Sequence, residues 1–267
     1  MARFYDKNGA PRLTVPRSDG KGIRSTRITD AKKNDWYASV STICGALGPF
    51  DGLTYWFKTE PLKYAASVKE IDLLKESGEK WVKKMLEGAE KEMSKAADLG
   101  SRVHESCELY HRWRADNKEM SIGPFPHDIK PYIRAIDSFC DENGIVGKKD
   151  QLEKPVVLKD TRSAGTVDFG GVGFNGKKII LDWKTQKVKR DVPRFWLKYR
   201  MQVCAYASAF NPDLAGVVII DTSDRDNYSR DNLPKIYYDL YTHEEQVYYY
   251  GLFKKLSDLY YASQDWL

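Results

Sequence analysis

The spacing of apolar side chains predicts a largely helical first half of the chain. Five of them recur at three- and four-residue steps: Ala96, Leu99, Val103, Cys107 and Tyr110. This period predicts a helix over residues 94–115. A second predicted helix follows Pro126 and ends at Asn143-Gly144, because glycine readily takes the left-handed conformation that closes a helix. A run over residues 62–78 fits a helical face more loosely.

The period changes to that of strands in the second half. Residues 151–159, 164–174 and 177–183 read as strands, and Asn175-Gly176 predicts a tight hairpin turn between the last two. The remaining predicted elements are a helix, two strands and a final helix, over residues 192–210, 215–221, 236–241 and 243–262. This order predicts an α/β fold with α+β character. A mixed central sheet is flanked by helices and preceded by a helical N-terminal part.

Positive charge is concentrated at the start of the chain. Residues 1–33 carry nine Lys/Arg and three Asp, a balance of +6, whereas the whole chain has a net charge of +5. With its Gly and Pro residues, the segment 1–34 reads as a basic irregular arm or a loose hairpin. Such arms commonly neutralise phosphate, and a solvated flexible terminus accounts for the same residues equally well.

The remaining residues, 35–267, are expected to form a single domain. Its first part, 35–147, is predicted to be mostly helical, and its second part, 148–267, contains the sheet and the candidate chemistry. A content of 42% hydrophobic and 30% charged residues is that of an ordinary globular protein.

Two further features bear on the cellular location. The longest stretch without a charged residue, 36–50, is shorter than the ~18 apolar residues of a membrane span, and the N-terminus lacks the apolar core of a signal peptide. We therefore expect no membrane partner and a cytoplasmic location in a prokaryotic or phage-infected cell, or an organelle or nucleus in a eukaryotic one. The four widely spaced cysteines predict free thiols rather than a zinc ribbon or disulfide framework.

The most informative residues lie around the predicted hairpin. Asp182 and Lys184 are two apart on a strand, so their side chains share one face. Asp168 lies on the partner strand. A strict two-residue turn would pair Asp168 with Trp183, one step out of register for a joint site. A bulge at Gly170-Gly171 is expected to correct this.

Paired carboxylates need compensation for their mutual repulsion. A divalent cation supplies it, and oxygen ligands favour Mg²⁺ or Mn²⁺. A lysine beside the cation can orient water or stabilise charge on a phosphate. Taken alone, Asp182 and Lys184 are better explained by a surface salt bridge, which is the commoner situation.

Three more polar residues occur at helical spacing. Gln202 and Tyr206 are four apart on the helix that follows the hairpin, and His104 follows Gly100 by four residues. Each has an ordinary explanation. Gln202 and Tyr206 suit helix–sheet packing, and an isolated histidine on an apolar face is usually a core residue.

In combination these positions resemble a known family. The order G-x-x-x-H, G-x-x-D, D-x-K and Q-x-x-x-Y, on a helix, two strands and a helix, resembles the RecB-like branch of the PD-(D/E)XK nuclease superfamily, and in particular its small stand-alone exonucleases. The resemblance runs from near Ser39 to the final helix. It implies a restriction-endonuclease-like core.

The resemblance also implies a role for each matching residue. The implied metal ligands are His104, Asp168, Asp182 and the backbone carbonyl of Trp183. The implied catalytic residues are Lys184, Asp182, Asp168 and Glu153. The implied substrate-binding residues are Gln202, Tyr206, Thr185, Lys187 and Arg102. The expected cofactor is one or two Mg²⁺ or Mn²⁺ ions. An iron–sulfur cluster is not expected, because no cysteine follows Cys204.

The function implied is that of a metal-dependent DNA nuclease. An exonuclease acting on single-stranded DNA or DNA ends in replication, recombination or repair is the leading prediction. A single-strand-binding or annealing protein is a possible further partner. The alternatives are a structure-specific or flap endonuclease and a catalytically silent nucleic-acid-binding module.

Overall fold

A computed structural model describes residues 3–48, 78–116 and 124–266 of the chain. These residues fall into two compact units. The larger combines residues 1–46 with 103–267, and the smaller comprises residues 47–102. The helical run predicted over residues 62–78 lies outside the described residues except for Gly78, at which a helix begins.

Six α-helices are described. They are α1 (Ile28–Asn34), α2 (Val40–Gly45), α3 (Gly78–Ala115), α4 (Lys130–Glu142), α5 (Leu197–Ala207) and α6 (His243–Ser263). Helix α3 begins well before the predicted residue 94, because its first turns are rich in Glu and Lys, which favour a helix. Within the described ranges, no helix has the length and apolar content needed to cross a membrane.

Helix α5 begins later than predicted, at Leu197 rather than at residue 192. Pro193 disfavours the helical conformation at Val192, and Arg190 and Asp191 have positive φ angles of 54° and 55°. Helix α6 begins where predicted because of a capping box. The Thr242 hydroxyl accepts from the Glu245 N–H, and the Glu245 carboxylate accepts from the Thr242 N–H at 2.8 Å.

Eleven strands are described, and they form three sheets. The strands are β1 (Phe4–Tyr5), β2 (Thr14–Pro16), β3 (Ile23–Ser25), β4 (Tyr37–Ser39), β5 (Val146–Gly147), β6 (Lys154–Leu158), β7 (Ser163–Val167), β8 (Phe169–Gly173), β9 (Lys177–Gln186), β10 (Leu214–Asp221) and β11 (Ile236–Tyr241). The sheet orders are β1-β4-β7-β6, β11-β10-β9-β8-β5 and β2-β3. Pairs β4–β7 and β9–β10 are parallel and the others antiparallel. The predicted mixed fold with α+β character is confirmed.

The larger unit has two principal sheets where a single central sheet was predicted. The strand predicted over residues 164–174 is in fact two strands, β7 and β8, which belong to different sheets. The chain passes from one sheet to the other at Asp168, the residue between them. The division follows from pairing, because β7 pairs with β6 while β8 pairs with β9.

The first 34 residues are more regular than an irregular arm. Strand β1 joins the four-stranded sheet with Phe4 and Tyr5 buried, and β2 and β3 form the loose hairpin. Much of the positive charge is paired with carboxylates. The ion pairs are Lys7–Asp35, Arg12–Asp6, Arg17–Asp19 and Arg24–Asp30. This pairing leaves less of the segment's charge available for an external phosphate.

The core of the larger unit lies on both faces of the five-stranded sheet. On one face, α5 packs against the apolar residues of β9 and β10, and α6 packs in turn against α5. On the other, an aromatic cluster joins α3 and α4 to the sheet. Its members are His111, Phe139, Phe169 and Trp183. All four cysteines are free and buried.

His111 is the one histidine of this cluster, and it is 1% exposed. Its ring lies 4.6 Å from that of Phe169 and 5.2 Å from that of Trp183, between centroids. Among the described residues neither of its nitrogens has a hydrogen-bond partner. Burial, with a smaller contribution from the charge of Arg114, lowers the pKa of His111 to about 3. His111 therefore acts as a neutral packing residue.

We predict that His111 makes the fold sensitive to acid. The unfolded chain, with an ordinary histidine pKa of ~6.5, binds this proton before the folded chain does, so the free energy of unfolding falls as the pH drops from about 6.5 towards 3. The variant His111→Phe is expected to gain thermal stability over the wild type progressively across this range. Melting temperatures measured against pH test this, with exposed His127→Gln as control. A constant difference between variant and wild type at every pH would contradict it.

Candidate metal centre

The register of β8 and β9 places two carboxylates opposite each other. The pairing runs without interruption from Phe169 with Leu181 to Gly173 with Lys177. Continued by one residue, it sets Asp168 against Asp182. The predicted bulge at Gly170-Gly171 is therefore wrong. The residue that corrects the register lies in the turn, which has three residues, 174–176, all with positive φ.

The glycines have a different role from the one predicted. A Cβ at Gly171 would collide with the backbone carbonyl of Val146, so glycine allows β5 to approach β8 closely.

The pairing of β6 with β7 brings a second carboxylate opposite Asp168. Strands β6 and β7 pair Lys154 with Val167, and one further step sets Glu153 against Asp168. The Glu153 N–H donates to the Asp168 carbonyl at 3.3 Å. Glu153 itself has a φ of 49°, in the left-handed region that residues with a Cβ rarely adopt. Asp168 thus has a carboxylate neighbour in each sheet.

Helix α3 completes a three-residue cluster. His104 Nε2 lies 3.1 Å from Asp168 Oδ2 and 4.0 Å from Glu153 Oε1. One ligand-type atom from each of these residues lies within 4.8 Å of the other two. Asp168 is buried, and the side chains of His104 and Glu153 are partly exposed. Three donor groups of the kind that bind divalent cations therefore meet at a site open on one side.

Asp182 adjoins the cluster but is held by other partners. Lys184 Nζ lies 2.6 Å from Asp182 Oδ2, and Gln202 Nε2 donates to Asp182 Oδ1 at 3.2 Å. Asp182 and Lys184 share one face of β9, as predicted, while Trp183 joins the aromatic cluster on the other face. Among the described side chains, the three-residue cluster contains Glu153 where the resemblance implied Asp182.

Backbone and aromatic groups support these side chains. The Trp183 N–H donates to Asp168 Oδ2 at 3.1 Å, which ties the carboxylate to β9. Lys184 Nζ lies 5.7 Å from the ring centroid of Tyr199. Tyr199 was not predicted, although it precedes Gln202 by three residues and so shares its helix face. That spacing was the available signal.

The electrostatics reflect several carboxylates close together. Burial, followed by the charge of Asp168, raises the pKa of Glu153 to about 7. Burial raises the pKa of Asp182 to about 7 even though the Lys184 charge opposes it. Burial would also raise the pKa of Asp168, but His104 and Lys184 together hold it below its usual range. The contact with Asp168 raises the pKa of His104 to about 9. The site attracts positive charge.

The G-x-x-D and Q-x-x-x-Y motifs meet through Gly165 and Tyr206. A Cβ at Gly165 would lie 2.6 Å from the Tyr206 hydroxyl oxygen, which is closer than real Cβ contacts come. Glycine in β7 therefore lets buried Tyr206 pack directly on the strand that leads to Asp168. Tyr206 positions the site from the side of α5, as Gln202 does through Asp182.

The remaining predicted substrate residues differ in exposure and in their place in the fold. Thr185 follows Lys184 on β9 and is partly buried, and Lys187 is exposed just after the end of β9. Arg102 lies on α3 two residues before His104, within the smaller unit. The role of the Trp183 backbone carbonyl as a metal ligand stays a prediction.

We predict that Gly165→Ala destabilises the protein by about 1–3 kcal/mol, because the new methyl group overpacks against Tyr206. The matched control is Gly251→Ala in α6, where a Cβ meets nothing within 4 Å. Denaturant unfolding measures both. The double variant Gly165→Ala/Tyr206→Leu is expected to lose less stability than the sum of its single variants. Strict additivity would argue against the contact.

The chain matches no family model and no curated protein in sequence. Among solved structures it aligns with one described as the crystal structure of SSO0001, at 13% identity and a TM-score of 0.32. The alignment covers 79% of this chain and 86% of that one. At this level of similarity neither fold nor activity carries over from that protein.

Proposed function

We propose that this protein is a metal-dependent DNA nuclease that hydrolyses phosphodiester bonds. One observation carries the proposal. His104, Glu153 and Asp168 bring ligand atoms within 4.8 Å of one another beside the ion pair of buried Asp182 and partly buried Lys184. A surface salt bridge, the ordinary explanation of a D-x-K triplet, is not what these residues form, since Asp182 is 1% exposed.

The donor set fits a hard divalent cation. Carboxylate oxygens from Glu153 and Asp168 suit Mg²⁺ and Mn²⁺, and the imidazole of His104 is acceptable to Mn²⁺. The strained φ of Glu153 supports a functional position, because such conformations concentrate at ligand-binding sites. When bound, the ion would polarise the scissile phosphate and lower the pKa of a water.

The chain's own residues supply fixed charge and orientation. Lys184 keeps its proton, because the charges of Asp182 and Asp168 raise its pKa against the effect of burial. Its ammonium group can therefore stabilise negative charge that develops on a phosphate oxygen. Gln202 fixes Asp182, and the Trp183 N–H fixes Asp168. These contacts restrict the acidic groups to one arrangement before substrate binds.

DNA as substrate is proposed from the order of the motifs, which resembles the RecB-like PD-(D/E)XK nucleases. Thr185, Lys187 and Arg102 are the proposed phosphate contacts outside the centre. An exonuclease acting on single-stranded DNA or free ends is the form we propose. The flap endonuclease and the silent binding module are outcomes of the same assay.

The decisive experiment is digestion of labelled linear and circular DNA, single- and double-stranded, with Mg²⁺ or Mn²⁺ and with EDTA. We expect metal-dependent loss of linear substrate, reduced about 100-fold or more in Lys184→Met. Lys178→Met, an exposed lysine on the same strand, is the matched control and should retain activity. Cleavage of circles would indicate an endonuclease. Binding without any cleavage would indicate a silent module.

Metal binding provides a second, separate prediction. Calorimetric titration with Mn²⁺ is expected to show at least tenfold weaker binding for Asp168→Asn and for Glu153→Gln, because each removes a charged ligand and the loss of even an outer partner typically costs ~10–100-fold. Glu105→Gln, an exposed change next to His104 on α3, should bind as the wild type does. Unchanged affinity in Glu153→Gln would remove Glu153 from the centre.

A further inference from the structure

A basic segment connects the catalytic strand β9 to helix α5. We define it as residues 187–198. It carries five cations, Lys187, Lys189, Arg190, Arg194 and Lys198, and one carboxylate, Asp191. Lys187, Lys189, Arg190 and Arg194 are exposed. Of these residues only Lys187 was predicted to contact substrate, because the pattern placed the others in or beside a helix.

The segment is braced at three points. The Gln186 side chain donates to the Arg194 carbonyl at 3.1 Å and accepts from the Arg194 N–H at 2.8 Å. These two hydrogen bonds tie Arg194 to the end of β9. Buried Val188 donates its N–H to Asp221 at 3.1 Å. Asp191 accepts from Lys235 at 2.8 Å and from Tyr237 at 3.0 Å. The cations are therefore presented by an ordered backbone.

The tip of the segment has an unusual conformation for its residues. Lys189 and Val192 pair across a two-residue turn in which Arg190 and Asp191 both have positive φ. Asn-Gly is the usual choice for such a turn, because a Cβ is unfavourable there. Retaining arginine and aspartate costs stability. The aspartate is used to anchor the tip, and the arginine contributes charge beside Lys189.

The cations of this segment differ from those of the N-terminal residues in their partners. In the N-terminal part, Lys7, Arg12, Arg17 and Arg24 each pair with an aspartate. Across residues 3–48, 78–116 and 124–266, no carboxylate forms an ion pair with any of the five cations of the basic segment, and Asp191 is engaged by Lys235. An uncompensated positive surface of this kind favours a polyanion.

The segment is also continuous with the candidate centre. Lys187 follows Lys184 by three residues, about 10 Å along extended backbone. At its other end Lys198 approaches the same aromatic ring as Lys184, since Lys198 Nζ lies 5.2 Å and Lys184 Nζ 5.7 Å from the ring centroid of Tyr199. Its cations therefore extend from the metal centre outward.

We infer that the basic segment binds the phosphate backbone of single-stranded DNA and holds the strand whose phosphodiester lies at the metal centre. The inference rests on the proposed nuclease function and adds the surface that receives the substrate. The tip residues Lys189 and Arg190 are its outermost contacts. They act on binding rather than on the chemical step.

The test measures binding of a fluorescent single-stranded oligothymidylate in EDTA, by anisotropy, between about 50 and 200 mM salt. Lys189→Gln/Arg190→Gln is compared with Arg17→Gln/Lys21→Gln, which removes the same charge from the β2–β3 hairpin. Loss of two phosphate contacts should lower the slope of log K against log salt by about 1.4 and weaken binding roughly 25-fold at 0.1 M salt. The control should bind as the wild type does, and thermal melts verify that both are folded.

Three results would overturn the inference. One is equal loss of binding in both double variants, which would mean a non-specific effect of net charge. The second is unchanged binding in Lys189→Gln/Arg190→Gln, and the third is no binding by the wild type. The charge-conserving variant Lys189→Arg/Arg190→Lys should retain the wild-type slope. Failure of the proposed function is seen separately, as absence of metal-dependent cleavage by the wild type.

Discussion

The carboxylate of Asp168 lies where the chain leaves one sheet and enters another, and the candidate centre depends on this position. Strand β6 brings Glu153 to one side and β9 brings Asp182 to the other, while the Trp183 N–H and His104 hold the carboxylate between them. Two sheets with independent pairings thus share one residue. A change in either register would separate groups that lie far apart in sequence.

Placing charge here works against stability. A buried ion such as Asp182 loses hydration worth several kcal/mol, and its pairing with partly buried Lys184 restores this only with good geometry and further hydrogen bonds. An apolar pair at these positions would serve the core equally well. Instead, Gln202 donates a hydrogen bond to Asp182, and the ring of Tyr199 lies beside Lys184. These contacts keep the charges in place. This cost is understandable if the charges are needed for chemistry.

Local signals determined what the sequence could predict. Strand β11 has the predicted bounds and α4 ends at the predicted Asn143-Gly144, because alternation and a helix-stop residue act within a few positions. The division at Asp168 and the place of Glu153 depend on pairing between strands, which no local pattern contains. Likewise the end of the basic segment, from Val192, was assigned to a helix that begins only at Leu197, because Pro193 disfavours the helical conformation at the residue before it.

The three-residue turn between β8 and β9 determines how this hairpin can tolerate insertion and deletion. Side chains alternate between the two faces of a strand, so removing one turn residue while β9 keeps its place would move Asp182 and Lys184 to the aromatic side and Trp183 to the polar side. Turn composition can vary wherever positive φ is accessible. Turn length cannot change by a single residue without exchanging the two faces of β9.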